Sequence, residues 1–193
     1  MKIGVLALQG AFREHRQALE RLGASVTEVR LPKDLGSLAG IIIPGGESTT
    51  MAKLMKLYGL DTALMDFYQA GGAIWGTCAG AIAISSEIVG YPEQLHLKLM
   101  DISVERNAYG RQRESFEADV VVKGFAEPFH AIFIRAPRIA RVGHAEVVAT
   151  FQDDAIMVKQ ERLLATIFHP ELSGDDRVHK YFLGQIVNAQ AFS

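Results

Sequence analysis

The sequence is short of the features that carry several classes of function. It has one cysteine, Cys78, in 193 residues. No disulfide can form within the chain, so a reducing compartment is expected and the reactivity of that thiol becomes the question. The formal net charge is −2, too near balance to provide the basic footprint that nucleic acid or an anionic membrane surface requires. The apolar N-terminus, Met1 to Leu8, reaches Gln9-Gly10 at once, too soon for a membrane span or a signal peptide. Of the histidines His15, His96, His130, His144, His169 and His179, no two have the spacing of a helical zinc motif. There is no repeat, no low-complexity tract and no Pro/Gly/Ser linker to divide the chain. What remains is 49% hydrophobic and 22% charged, ordinary globular values, with length for one sizeable core. A single domain over residues 1–193, in the cytoplasm, is the expectation.

The order of the patterns predicts an α/β fold on a mostly parallel sheet. Ile3 to Leu8 is a near-continuous apolar run, as in a strand covered on both faces. Phe12 to Leu22 places apolar residues at helical spacing and stops at Gly23. Ser25 to Leu31 is a weaker strand, suited to an edge. Ala39 to Ile43 is a third strand, running into Pro44-Gly45-Gly46. A helix follows at Met51 to Leu57, with Ser48, Thr49 or Thr50 as hydroxyl caps, and another at Leu60 to Ala70. After the apolar stretch Ala73-Ile74-Trp75, a strand is expected at Leu99 to Arg106, then a polar loop at Tyr109 to Ser115. Short β patterns lie at Phe116 to Val122, Ala131 to Arg135, Glu146 to Phe151, Ala155 to Gln160 and Leu163 to Phe168. Asp153-Asp154 and Glu161-Arg162 read as hairpin turns, giving an antiparallel extension. A helix from Arg177 to Gln190 closes the chain.

Three stretches carry chemistry. Gly76-Thr77-Cys78-Ala79-Gly80 joins a strand to a small-residue helix, the form of a nucleophile elbow, where glycines make room for a strained turn that lifts out the side chain. The helix N-terminus would favour thiolate. A small buried hydrophobe is the alternative role for Cys78. His169-Pro170-Glu171 lies where an apolar strand ends, so one ring nitrogen could face the sulfur while Glu171 holds the other. Pro44-Gly45-Gly46-Glu47-Ser48 is a glycine loop whose amides, with that of Ala79, could stabilise an oxyanion. A tight turn before a capped helix is the structural alternative. A phosphate cradle is disfavoured by the missing P-loop lysine and spacing.

These motifs together resemble the triad class, class I, of glutamine amidotransferases. Leu6 to Phe12, Gly45-Gly46-Glu47-Ser48-Thr49-Thr50, Trp75 to Gly80, Arg106-Asn107-Ala108-Tyr109-Gly110-Arg111-Gln112, Phe133-Ile134-Arg135-Ala136-Pro137 and His169 to Leu172 are similar to the glutaminase subunits of pyridoxal 5'-phosphate synthase within that class. The resemblance runs nearly end to end, with no departure at the motif positions.

The resemblance implies a flavodoxin-like three-layer fold and hydrolysis of L-glutamine to L-glutamate and ammonia. Ammonia would pass to a separate synthase subunit, a TIM-barrel assembly that makes pyridoxal 5'-phosphate from a pentose phosphate and a triose phosphate. It further implies Cys78 as nucleophile, His169 as acid and base, and Glu171 as its orienter. Gly46, Glu47, Ser48, Arg106, Ile134 and Arg135 would hold glutamine, with oxyanion donors at Gly46 and Ala79. A guanidinium suits the carboxylate of a free amino acid. No metal or organic cofactor is needed for these steps. Another triad amidotransferase, a γ-glutamyl hydrolase and a non-catalytic binding module are the competing functions.

Overall fold

The computed structural model describes residues 1–106 and 115–188. The expected Arg106 to Gln112 motif therefore lies outside the described residues beyond Arg106, as do the expected polar loop up to Glu114 and the last two residues, Ala189 and Gln190, of the expected closing helix.

Apolar runs become the central strands: β1 (Lys2–Leu6), β2 (Ser25–Val29), β3 (Gly40–Ile43) and β4 (Ala73–Thr77). Between them lie α1 (Phe12–Arg21), α2 (Ser48–Leu57) and α3 (Leu60–Gln69). The chain continues through α4 (Ala79–Ile84), β5 (Ser85–Val89), β6 (Met100–Glu105), β7 (Ser115–Val120), β8 (Phe129–Ile134) and β9 (Arg138–Val142). It ends with β10 (Glu146–Phe151), β11 (Asp154–Gln160), β12 (Leu163–Thr166) and α5 (Arg177–Tyr181), which continues as a π-helical segment, Phe182–Val187.

Among the described residues the main sheet has seven strands, in the order β10-β11-β12-β4-β3-β1-β2. β2, β1, β3, β4 and β12 run parallel, which is the 2-1-3-4-5 order of flavodoxin-like folds. β10 and β11 are the antiparallel extension. The strands buried on both faces are the ones without a polar alternation: Ile41, Ile42 and Ile43 are fully buried, as are Leu163, Leu164 and Ala165. β2, at the edge, is only partly buried.

Successive side chains of β4 point to opposite faces, and this separates the helical layers. Trp75 packs on His15 of α1, His179 of α5 and Phe182 on one face. Gly76 meets Gly80 of α4 on the other. β7 pairs with β8 outside the main sheet, with Phe116 stacked on Phe133 at 4.4 Å. β5, β6 and β9 form a further small sheet. Among the described residues no helix is long and apolar enough to cross a membrane.

Some boundaries differ from the sequence reading. Glu47, not a hydroxyl residue, caps α2, its carboxylate accepting from the N–H groups of Thr49 and Thr50. A carboxylate at this position also meets the positive end of the helix dipole. The β10–β11 loop is Gln152-Asp153, both with positive φ, because Phe151 pairs with Asp154. Glu161-Arg162 does form the following turn, between Gln160 and Leu163. β5 and β9 are strands that the sequence reading did not identify.

Candidate active site

Four neighbouring parallel strands, β1, β3, β4 and β12, end on the same edge of the sheet, where sites of open α/β folds assemble. Following them are Gln9-Gly10, Pro44-Gly45-Gly46, Cys78 and His169.

Cys78 joins β4 to α4 with φ 50° and ψ −106°, a backbone conformation that costs of order 1–3 kcal/mol outside glycine and persists only where the surroundings enforce it. The enforcement is visible. A Cβ at Gly76 would collide with the Gly80 carbonyl, and one at Gly80 with the Ile43 carbonyl. Both glycines are thus required for α4 to sit tightly on β3 and β4. The Cys78 N–H donates to the Thr166 carbonyl at 2.8 Å, tying the turn to β12.

His169 follows β12, and its N–H donates to the Ile132 carbonyl of β8 at 2.8 Å. Its Nδ1 lies 2.8 Å from Glu171 Oε1, which leaves Nε2 for the neighbouring Cys78 side chain, whose proximity favours the charged ring. Burial opposes charge on His169, but the contacts with Cys78 and Glu171 outweigh it and push its pKa up to about 10. Burial alone would raise the Glu171 pKa, yet its imidazole neighbours, among them His169 on Oε1, hold it below the usual carboxylate range. Cys78 and Glu171 both adjoin the His169 ring, and both favour its charged form.

Gly45 packs directly against the His169 ring and Cys78. The Gly45 carbonyl abuts Gly10, where φ is 82° and a side chain would not fit. Gly46 has φ 152° and lies against the Gln9 amide, whose Oε1 accepts from the Glu47 N–H at 3.0 Å. Gln9 and Gly10 thus support the Gly45-Gly46 loop from β1. The sequence reading gave neither residue a role, although their place just after an apolar strand was the available signal.

A cavity of about 390 Å³ opens above this centre, within the range of small-molecule sites. Gly46, Glu47, Ser48, Cys78, Ala79, Arg106, Ile134, Arg135 and His169 all line it. Every site residue expected from the sequence is therefore gathered here except Glu171, which lies behind His169. Glu47 contributes less freely than its type suggests. Its carboxylate accepts from the hydroxyls and N–H groups of Thr49 and Thr50, and these bonds hold its pKa down at about 2 against the effect of burial. Arg106 has a side chain only 16% exposed, so it is not the solvated arginine its type would suggest. Nη1 donates to Gln94 Oε1 at 2.6 Å, and the guanidinium lies 4.5 Å over the Tyr91 ring. Arg135, after β8, takes φ 42° beside the cavity. Among the described residues no group of three or more His, Cys, Asp or Glu is arranged to hold a metal ion.

Comparison with known proteins identifies the family of the chain. Residues 5–188 match the model of the SNO glutamine amidotransferase family. The chain is 57% identical over 189 residues to a pyridoxal 5'-phosphate synthase subunit PdxT of Deinococcus radiodurans, covering 95% of this chain and 96% of that one. It is 54% identical over 183 residues to the PdxT subunit of Thermus thermophilus, covering 94% and 95%. Among solved structures, one described as a glutamine amidotransferase superposes with a TM-score of 0.92 at 50% identity, covering 96% of this chain and 98% of that chain.

Proposed function

The chain belongs to the SNO glutamine amidotransferase family, and from that premise we propose that it is the glutaminase subunit of a pyridoxal 5'-phosphate synthase, hydrolysing L-glutamine to L-glutamate and ammonia. The observation that carries the catalytic part is the Cys78–His169–Glu171 chain at the floor of the cavity, with sulfur, imidazole and carboxylate in sequence. The PdxT relatives, matched over nearly their whole length, support the biosynthetic setting.

In the proposed reaction the Cys78 sulfur attacks the side-chain amide carbon of glutamine. The carbonyl oxygen becomes an oxyanion and accepts from the N–H groups of Gly46 and Ala79. One such donor is typically worth about 10²–10³ in kcat. His169, an imidazolium at neutral pH, gives its Nε2 proton to the nitrogen as the C–N bond breaks, and ammonia leaves. The resulting γ-glutamyl thioester is attacked by water, from which the now neutral His169 takes a proton. The C–S bond breaks, glutamate departs, and sulfur and imidazolium are restored. Glu171 remains ionised throughout and fixes the ring.

Arg106 and Arg135 are assigned to the α-carboxylate of glutamine, with Ser48, Ile134 and the backbone of Gly46-Glu47 shaping the rest of the pocket. A guanidinium already held by Gln94 and Tyr91 loses little freedom on gripping a carboxylate. Ammonia would then travel to the synthase subunit rather than to solvent. A partner that selects one orientation of the Gly45-Gly46 peptide, between two residues without Cβ, would confine hydrolysis to the assembled enzyme.

The reading is tested by measuring ammonia release from glutamine with and without the synthase subunit. A sharp rise on adding the partner supports it. Equal hydrolysis of glutamine or γ-glutamyl peptides by the free chain would instead indicate a stand-alone γ-glutamyl hydrolase.

A further inference from the structure

The reaction above uses one of the two oxygens of Glu171. The other, Oε2, is buried and has no hydrogen bond among the described residues, but it faces His15 Nε2 at 3.4 Å. His15 is fully buried on α1. The same Nε2 lies 3.2 Å from Thr77 Oγ1, and Nδ1 lies 2.9 Å from Nε2 of His179, itself fully buried on α5. Both rings stand against Trp75. Polar rings in such a place cost free energy that apolar residues would not. From this convergence we infer that His15, oriented by His179, is a positioning residue for the proposed glutaminase reaction: it holds Glu171 so that Oε1 stays on His169.

The hydrogen assignment follows from which groups can donate. A carboxylate only accepts, so the His15 nitrogen facing it must carry the proton, with Thr77 Oγ1 sharing that N–H. A neutral His15 then accepts at Nδ1, so His179 must donate from Nε2. That leaves His179 Nδ1 bare, which agrees with its lack of a hydrogen-bond partner among the described residues. Burial lowers the pKa of both rings and so favours their neutral forms. The charged groups that face this chain are Glu171, His169 and Glu14 toward His15, His169 toward Glu171, and Arg21 toward His179. One arrangement of protons therefore runs from His179 through His15 to Glu171, two elements away from the cavity. Without it, a buried carboxylate with one bare oxygen would turn more freely and bind a proton more readily. A protonated Glu171 no longer holds the imidazolium.

The inference rests on the assignment of His169 and Glu171 given above. Its test is the pH dependence of glutaminase kinetics for the full chain in complex with its synthase subunit. His15→Phe keeps a ring against Trp75 but removes the donor. Its kcat should fall roughly 10- to 100-fold, the range for removing the polar partner of a buried charged group, with KM for glutamine within about twofold. The acid limb of the kcat profile should move to higher pH. His15→Gln restores an N–H near the Nε2 position and should recover most of the loss. His179→Phe should act in the same direction but less, and the double variant should be no worse than His15→Phe alone. A His15→Phe enzyme with wild-type kcat and pH profile, a His15→Gln enzyme equally impaired, or a loss confined to KM would overturn the inference. So would imidazole ¹⁵N spectra of the wild-type complex that put the His15 proton on Nδ1, a readout that needs no variant to fold. A wild-type complex without glutaminase activity would overturn the catalytic assignment itself.

Discussion

Gly45→Ala isolates the geometry of the proposed centre, because it adds one methyl group and little else. Gly45 does not have a positive φ, so alanine meets no backbone penalty there. A Cβ at this position would sit 2.6 Å from His169 Cε1, 3.3 Å from His169 Nδ1 and 3.2 Å from Cys78 Cβ, where ordinary contact begins at 3.4 Å. The imidazole must therefore retreat by about 0.8 Å (3.4 − 2.6) or the loop must lift by as much. A misplacement of about 1 Å can cost roughly 10²-fold in rate. Overpacking of this size costs about 1–3 kcal/mol of stability. The expected outcome is thus a folded protein with kcat/KM for glutamine lowered about 100-fold in the presence of the synthase subunit. Gly184→Ala is the control. A Cβ there meets nothing within 4 Å, so activity should be unchanged. Wild-type kcat/KM in Gly45→Ala, measured by ammonia release, would refute the placement of His169 against Cys78 and this loop.

Other outcomes follow from the same structure. The His169 pKa is raised from 6.5 to about 10, so its contribution to stability is fully present below pH 6.5 and is lost as pH rises toward about 10. Ammonia release should fall over the same upper range as the proton donor is lost, which a kcat–pH profile measures. Glu47→Ala removes the α2 cap and should lower stability by about 1 kcal/mol in denaturant unfolding. Because the Glu47 pKa is lowered from 4.5 to about 2, the difference between this variant and wild type should hold above pH 4.5 and vanish as pH falls toward about 2. Arg106→Leu should raise KM for glutamine at least roughly tenfold while changing kcat much less, as steady-state kinetics would show.

The parts of the fold legible in the sequence are those whose residues report their own surroundings. Ile41-Ile42-Ile43 and Leu163-Leu164-Ala165 can only be two-sided core, and the glycines around Cys78 are readable because a sharp strand-to-helix joint needs them. His169-Pro170-Glu171 is legible because the ring and the carboxylate that meet in the structure are two residues apart. β5 and β9 were not, because they are short and get their strand character from pairing with β6. Three hydroxyl candidates in a row mask the α2 cap, whereas the side chain with the reach and charge is Glu47. Most of what supports the site was hidden for one reason. Gln9 against Gly46, Tyr91 and Gln94 holding Arg106, and His15 behind Glu171 are contacts between distant segments, and no spacing within one segment encodes them. His15 left one trace: it lies on the apolar side of α1 with Phe12, Ala18 and Leu19, where a polar ring needs a partner.

The central claim is that Cys78 forms a covalent intermediate with glutamine, and the direct measurement is mass spectrometry of the acid-quenched complex during turnover. A γ-glutamyl adduct on the peptide carrying Cys78, together with loss of ammonia release in Cys78→Ala, is the expected result. Ammonia released by Cys78→Ala at the wild-type rate, with no adduct on the wild-type chain, would contradict it.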